Sequence, residues 1–215
     1  MPLVKKGLVF FDQKLKHNHE KELIIGVDEA GRGPLAGPVV ACACVIYDYS
    51  ADFLNDVNDS KKLSAFKRER VFKKMISNPC VRFSFAYSTN EEIDKLNILN
   101  ASLKAMRIAV ERLISYLSLN SSRLLVAVDG NHLINEIKLD QISIIKGDSK
   151  SAAIACASIF AKVLRDRWMD VIHLNYPAYE FKRHKGYPTK RHIELIKKYG
   201  LSSYHRKTYA PCSNL

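Results

Sequence analysis

The apolar positions of the chain fall into short runs that define strands. Leu23 to Asp28 (LIIGVD) predicts one that closes on a carboxylate. Pro38 to Ile46 predicts a second, apolar on both faces and so expected deep in a sheet. Val81 to Ser88 alternates as VRFSFAYS, the pattern of a half-buried strand. Leu124 to Val128 predicts a fourth strand, followed by Asp129-Gly130. Ile142 to Ile145 predicts a short fifth, followed by Lys146-Gly147-Asp148.

Between these runs the period lengthens. Ser64 is placed to cap a helix through FKRERVFKKM to about Ser77. Asn90 with Glu91 and Glu92 marks a helix start, with helix to about Leu119 and a break near Asn97 to Asn100. A long helix is expected from Ser149 to about His173. Its small residues Ala152, Ala153, Ala155, Ala157 and Ala161 would allow close packing on a sheet. Thr189 could cap a last helix that stops at Gly200. Strands come first and then alternate with helices. The expectation is an α/β chain, a mixed five-stranded sheet flanked by helices, with a helical C-terminal extension.

The length of 215 residues suits one compact domain with a full core, taken here as residues 23–215. No window approaches the roughly 20 apolar residues that span a bilayer, so no membrane is expected. The apolar stretch Leu8 to Phe11 is too short for a signal-peptide core, so the protein is expected to be intracellular and cytoplasmic. Residues 1–22, with His17 and His19, receive no role. Cysteines 42, 44, 80, 156 and 212 are odd in number and lack CxxC spacing. Cys42 and Cys44 would share one strand face as small buried hydrophobes rather than metal ligands.

Charge narrows the partner. The formal net charge is +12, which favours polyanions. From Lys182 to Lys207 there are nine Lys or Arg and one acid; from Asp59 to Lys74 there are seven and two. Such runs are often plain solvated faces. Phe181, Tyr187, Tyr199, Tyr204 and Tyr209, interleaved with the C-terminal run, point to nucleic acid, where rings stack. Residues from about 175 to 215 are therefore expected to bind substrate.

Three strands end in acids: Asp28 with Glu29, Asp129, and Asp148. Ligand sites of such sheets gather at strand ends. Four carboxylates brought together repel and stay ionised only beside a cation. Hard oxygen donors indicate Mg²⁺ or Mn²⁺, and two such ions are the usual clamp for phosphodiester hydrolysis. Taken singly, Asp129-Gly130 is a turn pair and Asp148 a helix N-cap. Adjacent Asp28 and Glu29 closing an apolar run have no such simple explanation.

Gly31-Arg-Gly33-Pro-Leu-Ala-Gly37 is neither GxGxxG nor a Walker loop. Pro34 and Pro38 lack amide donors, and a strand follows rather than the helix N-terminus that holds a pyrophosphate. Its glycines still permit close approach of backbone to a ligand. Beside a metal-bound phosphate that ligand could be a sugar, whose 2′-hydroxyl distinguishes RNA from DNA.

The segment DEAGRGPLAGPVVA resembles the signature of ribonuclease HII, the type 2 ribonucleases H. The likeness continues through NDSKKLS (58–64), EIDKLNILNASLKAM (92–106), VDGN (128–131), KGDSKSAAIACASIFAKVLRD (146–166), HKGYPTKRH (184–192) and HR (205–206). Type HIII enzymes usually carry GKG in the loop and an extra N-terminal domain; GRG favours type HII. The resemblance implies a ribonuclease H-like fold. It implies endonucleolytic hydrolysis of RNA in RNA–DNA hybrids and incision 5′ of single ribonucleotides in duplex DNA, leaving 3′-hydroxyl and 5′-phosphate ends. It assigns metal binding and catalysis to Asp28, Glu29, Asp129 and Asp148, ribonucleotide contact to Gly31, Arg32 and Gly33, and junction sensing to Tyr187. It makes Lys61, Lys62, Lys150, His184, Lys185 and Arg206 candidate phosphate contacts, and implies a monomer. Asp166 reads as an ion-pair partner, and His132 as a local hydrogen-bonding group. The tail APCSNL shows no clamp-binding motif. Competing readings are another two-metal nuclease of the same fold and a non-catalytic nucleic-acid-binding module.

Overall fold

The computed structural model describes residues 3–117 and 120–214. Five strands, β1 (Leu23–Ala30), β2 (Val39–Ile46), β3 (Val81–Ser88), β4 (Leu124–Asp129) and β5 (Gln141–Ile144), form one sheet ordered β3-β2-β1-β4-β5. The β1–β2 and β2–β3 pairs are antiparallel, and the β1–β4 and β4–β5 pairs are parallel. This is the mixed sheet the pattern predicts. β1 runs on to Ala30, so Asp28 and Glu29 lie within its last turn of pleat rather than beyond it.

The helices, in chain order, are α1 (Leu3–Asn18), α2 (Ala65–Ile76), α3 (Asn90–Leu96), α4 (Ile98–Leu117), α5 (Ala152–Asn175), α6 (Phe181–His184) and α7 (Lys190–Tyr199). Ser64 and Thr189 cap α2 and α7 as expected. The helix break falls at Asn97; the end expected at about Leu119 lies outside the described residues.

Strand alternation divides the core into two layers. Ile24, Cys42, Cys44 and Ile46 pack with α1, α2 and α5, whereas Ile25, Val27, Ala41, Ala43 and Val45 pack against α4. Cys42 and Cys44 do share one face, beside Cys156 of α5. The alanine-rich face of α5 meets β1 so closely that a Cβ on Gly26 would stand 2.1 Å from the carbonyl carbon of Ala153. Phe160 of α5 stacks on Phe83, with ring centroids 3.8 Å apart, and meets Phe72 edge-on. Its truncation to alanine would cost about 3–5 kcal/mol.

Helix α1, which precedes residue 23, packs on the same core. Leu8 and Leu15 are buried in the layer under α5, and the buried Asp12 accepts a hydrogen bond from the Ala153 amide at 2.9 Å. An acid at a helix N-terminus is electrostatically favoured, yet burial pushes its carboxyl up to about 6. The many Lys and His of this segment hid the i, i+7 spacing of its two core leucines.

The C-terminal part folds back on the glycine-rich loop. Leu35 N–H donates to the Gly186 carbonyl, Arg206 N–H to the Leu35 carbonyl and Gly37 N–H to the Tyr204 carbonyl, at 2.8–2.9 Å. Among the described residues, no helix is long and apolar enough to cross a membrane.

Candidate active site

The parallel pairing of β1 with β4 sets Val27 opposite Val128, so Asp28 and Asp129 leave the sheet on neighbouring strands. Asp148 follows β5 in a 3-10 turn (Gly147–Ser149). That turn is pinned to β4, because Gly147 N–H donates to Asp129 Oδ1 at 2.6 Å. A Cβ on Gly147 would come within 2.6 Å of the Ile154 side chain, which keeps this position a glycine. Ser151, not Asp148, caps α5. The cap explanation of Asp148 therefore fails, and its carboxylate is left buried beside the others. Asp129 does precede a turn at Gly130, whose φ is +100°.

Electrostatics bind the four acids into one cluster. Burial pushes the Asp28 carboxyl well above the usual range, and the charges of Glu29 and Asp129 push it further; the Ser158 hydroxyl, hydrogen-bonding the carboxylate, opposes both. Burial also raises Glu29, against the pull of Arg32. Asp129 is raised by burial and by Asp148, against the Gly147 amide. Among the described residues two cations reach in: Lys61 Nζ stands 3.5 Å from Asp148 and Arg32 3.5 Å from Glu29. Burial weighs against the Lys61 ammonium, yet Asp148, Asp28, Asp59 and Asp129 together raise its pKa. Among the described residues no three acid, imidazole or thiol groups already stand in chelating geometry. Carboxylates that repel one another and lean towards Lys61 and Arg32 are expected to stand apart until a cation neutralises them. The donor set is all hard oxygen with excess negative charge, which suits Mg²⁺ or Mn²⁺.

The glycines of the loop divide by role. Gly31 (φ +106°) and Gly37 (φ +84°) have no room for a Cβ, which would meet Arg165 Nε at 2.2 Å and Met169 Sδ at 2.4 Å. Their smallness serves internal packing. At Gly33 the nearest atom to a Cβ is Tyr187 Cε1 at 3.9 Å, so this backbone is open to a ligand. Tyr187 is 40% exposed. Lys162 Nζ and Arg165 Cζ lie 5.6 and 5.8 Å from its ring centroid.

Of the expected phosphate contacts, Lys61, Lys62 and Lys150 are exposed. The others are engaged within the protein. Arg206 is fully buried and donates to the carbonyls of Gly31, Arg32 and Gly37 at 2.6–3.1 Å, so it holds the loop from inside. His184 is buried, with Nε2 2.8 Å from the Tyr179 carbonyl. Lys185 is tied to Asp170 and to the Asp166 carbonyl. Asp166 is the expected ion-pair partner, of Lys162 at 2.7 Å. His132 is exposed on the turn after Asp129.

Sequence reasoning missed Arg165. It is fully buried and clasps the carbonyls of Ala36, Pro38 and Lys185 at 3.0–3.2 Å. Burial and the like charge of Arg206 lower it to about 10. It missed Ser60 as well, whose hydroxyl lies 2.9 Å from that of Ser158 and ties the Lys61 loop to the helix behind Asp28. Neither carries a signal in an isolated sequence.

The sequence model of the family described as Ribonuclease HII matches residues 25–212. A curated relative from Fusobacterium nucleatum, "Ribonuclease HII", is 51% identical over 191 residues, 88% of this chain and 86% of the relative. The structure of a PCNA:RNase HII complex from Archaeoglobus fulgidus superposes with TM-score 0.70 at 24% identity, over 87% of this chain and 95% of that one. Bst-RNase HIII in complex with Mn²⁺ gives TM-score 0.66 at 16% identity, over 98% of this chain and 71% of that one. The ribonuclease H-like fold of these proteins is also the fold of this chain.

Proposed function

The chain belongs to the ribonuclease HII family, a family of metal-dependent ribonucleases, and we propose that it cuts RNA–DNA hybrids and single ribonucleotides embedded in duplex DNA. The cut falls 5′ of the ribonucleotide and leaves 3′-hydroxyl and 5′-phosphate ends. The observation that carries this reading is the junction of four mutually repelling acids with an open Gly33 backbone and an exposed Tyr187 ring.

In this reading Asp28, Glu29, Asp129 and Asp148 hold Mg²⁺ or Mn²⁺. When bound, such ions activate water and stabilise the charge that develops on the leaving oxygen. The protein supplies the rest. The Gly147 amide orients Asp129, and Ser158 orients Asp28. The backbone around Gly33 approaches the sugar closely enough to read its 2′-hydroxyl. Arg32, half-exposed beside Glu29, is placed between that sugar and the acids. Tyr187 stacks at the junction from ribose to deoxyribose. Lys61, Lys62 and Lys150 hold flanking phosphates. The enzyme works inside the cell as a monomer.

Asp129→Asn tests the reading. Cleavage is expected to fall by on the order of 10³-fold or more, as for loss of a central catalytic group. Duplex binding is expected to persist or tighten, because one charge facing phosphate is gone. Retained cleavage in this variant would remove the assignment.

A further inference from the structure

Behind Tyr187 lies a chain of buried imidazoles that the metal site does not use. His192 and His205 are both fully buried. His192 Nδ1 is 2.9 Å from the Tyr187 carbonyl, and its Nε2 is 3.1 Å from His205 Nε2. His205 Nδ1 is 2.9 Å from the Ser202 amide nitrogen and 2.8 Å from the Ser202 hydroxyl. The two ends fix every proton. A carbonyl only accepts, so His192 carries its proton on Nδ1. A backbone amide only donates, so His205 Nδ1 is bare and its proton sits on Nε2. The middle contact is then His205 Nε2–H donating to His192 Nε2, and the hydrogen bonds run in one direction without a clash. Burial supports the neutral forms, because it pushes both rings down to about 4. His184 stacks on His192, with centroids 4.1 Å apart.

The far end of this chain is fastened to the other substrate-facing element. The backbone of His205 bridges Ala36. Its neighbour Arg206 holds the carbonyls of Gly31, Arg32 and Gly37. The dipeptide His205-Arg206 thus grips the glycine loop with one side chain and the Tyr187 backbone, through His192, with the other. The Thr189 amide adds a second hydrogen bond to the same Tyr187 carbonyl at 2.8 Å.

We propose that His192 and His205 are positioning residues: a directional imidazole relay that sets Tyr187 against the Gly31–Gly33 backbone and thereby governs recognition of single ribonucleotides. The proposal rests on the sensing role given to Tyr187 above.

Two measurements on the full chain test it. The first is the tautomeric state of the histidines at pH 7, from ¹⁵N NMR of the imidazoles. His192 protonated on Nδ1 and His205 on Nε2 are expected; His192 protonated on Nε2, or as a cation, overturns the relay. The second compares kcat and KM on a one-ribonucleotide duplex and on a long RNA–DNA hybrid for His192→Leu, His192→Asn and Tyr187→Ala. His192→Leu is expected to lower kcat/KM at the single ribonucleotide by about tenfold or more, the scale of a small misplacement, and to spare the hybrid. His192→Asn restores a donor at the Nδ1 position, though not the acceptor for His205, and is expected to recover part of the loss. An equal fall on both substrates, or no recovery with Asn, leaves His192 a folding residue and overturns the proposal. If Tyr187→Ala itself fails to separate the substrates, the sensing role falls and this proposal with it. If Tyr187→Ala separates them and His192→Leu does not, the relay alone is refuted.

Discussion

The acid cluster and the C-terminal clasp lie on either side of the same loop, yet they are built on opposite principles. At the strand ends, like charges are brought together with few partners: Asp28, Glu29 and Asp129 are all raised, and among the described residues Lys61 and Arg32 answer them. In the clasp, Arg165, Arg206, His192 and His205 are buried and hydrogen-bonded to backbone or to one another. The first arrangement stores repulsion that a ligand can relieve. The second uses polar groups as mortar and offers them to no ligand. The same residue types therefore mean different things in the two regions, and burial decides which.

The contrast is broken most forcefully at the two kinds of cation. Arg206→Met removes the side-chain donor from the Gly31 and Gly37 carbonyls, while the Arg32 carbonyl keeps the Tyr209 hydroxyl, and should lower stability by about 2 kcal/mol or more, since each unsatisfied buried group costs roughly 1–3 kcal/mol. Lys61→Ala removes a cation beside the acids, but from an 82% exposed side chain, and should lower stability by no more than about 1 kcal/mol, as for a solvent-screened ion pair. It should reduce the salt dependence of duplex binding by about one charge. Urea unfolding and a salt titration of binding read the two effects separately. Weaker binding with unaltered stability in Arg206→Met would return that residue to the phosphate contacts.

A smaller effect sharpens the contrast within one loop. Gly37→Ala must find room 2.4 Å from Met169 Sδ at φ +84° and should destabilise the fold by a few kcal/mol, as overpacking and left-handed strain do. Gly33→Ala meets only the Tyr187 ring at contact distance. It should keep the stability of wild type and lose ribonucleotide incision, which paired thermal melts and cleavage rates would reveal.

Much of this was legible in the sequence, for reasons that can be named. The strands read clearly because each is an apolar run or, at Val81–Ser88, an alternating one. The acids stand out because charges that end such runs conflict with local rules. Ser64 and Thr189 were visible as caps because capping is local. What stayed hidden depends on contacts distant along the chain. Gly31 is a glycine because of Arg165, 134 residues later, and no local pattern announces it. Arg206 and His184 look like surface charge in a basic run until the fold buries them. Helix α1 was passed over because its core face is only Leu8 and Leu15 amid polar residues, and what fixes it is Asp12 reaching the start of α5.

The central claim is that one site joins metal-bound acids to ribose reading. It is tested most directly by mapping the cut, to the nucleotide, in a DNA duplex that carries one ribonucleotide, with Mg²⁺, Mn²⁺ or EDTA present. Incision on the 5′ side of the ribonucleotide, dependent on the divalent ion, is the predicted result. Cleavage of a long RNA–DNA hybrid with no cut at the single ribonucleotide would contradict it, leaving the acids their role and removing that of Gly33 and Tyr187.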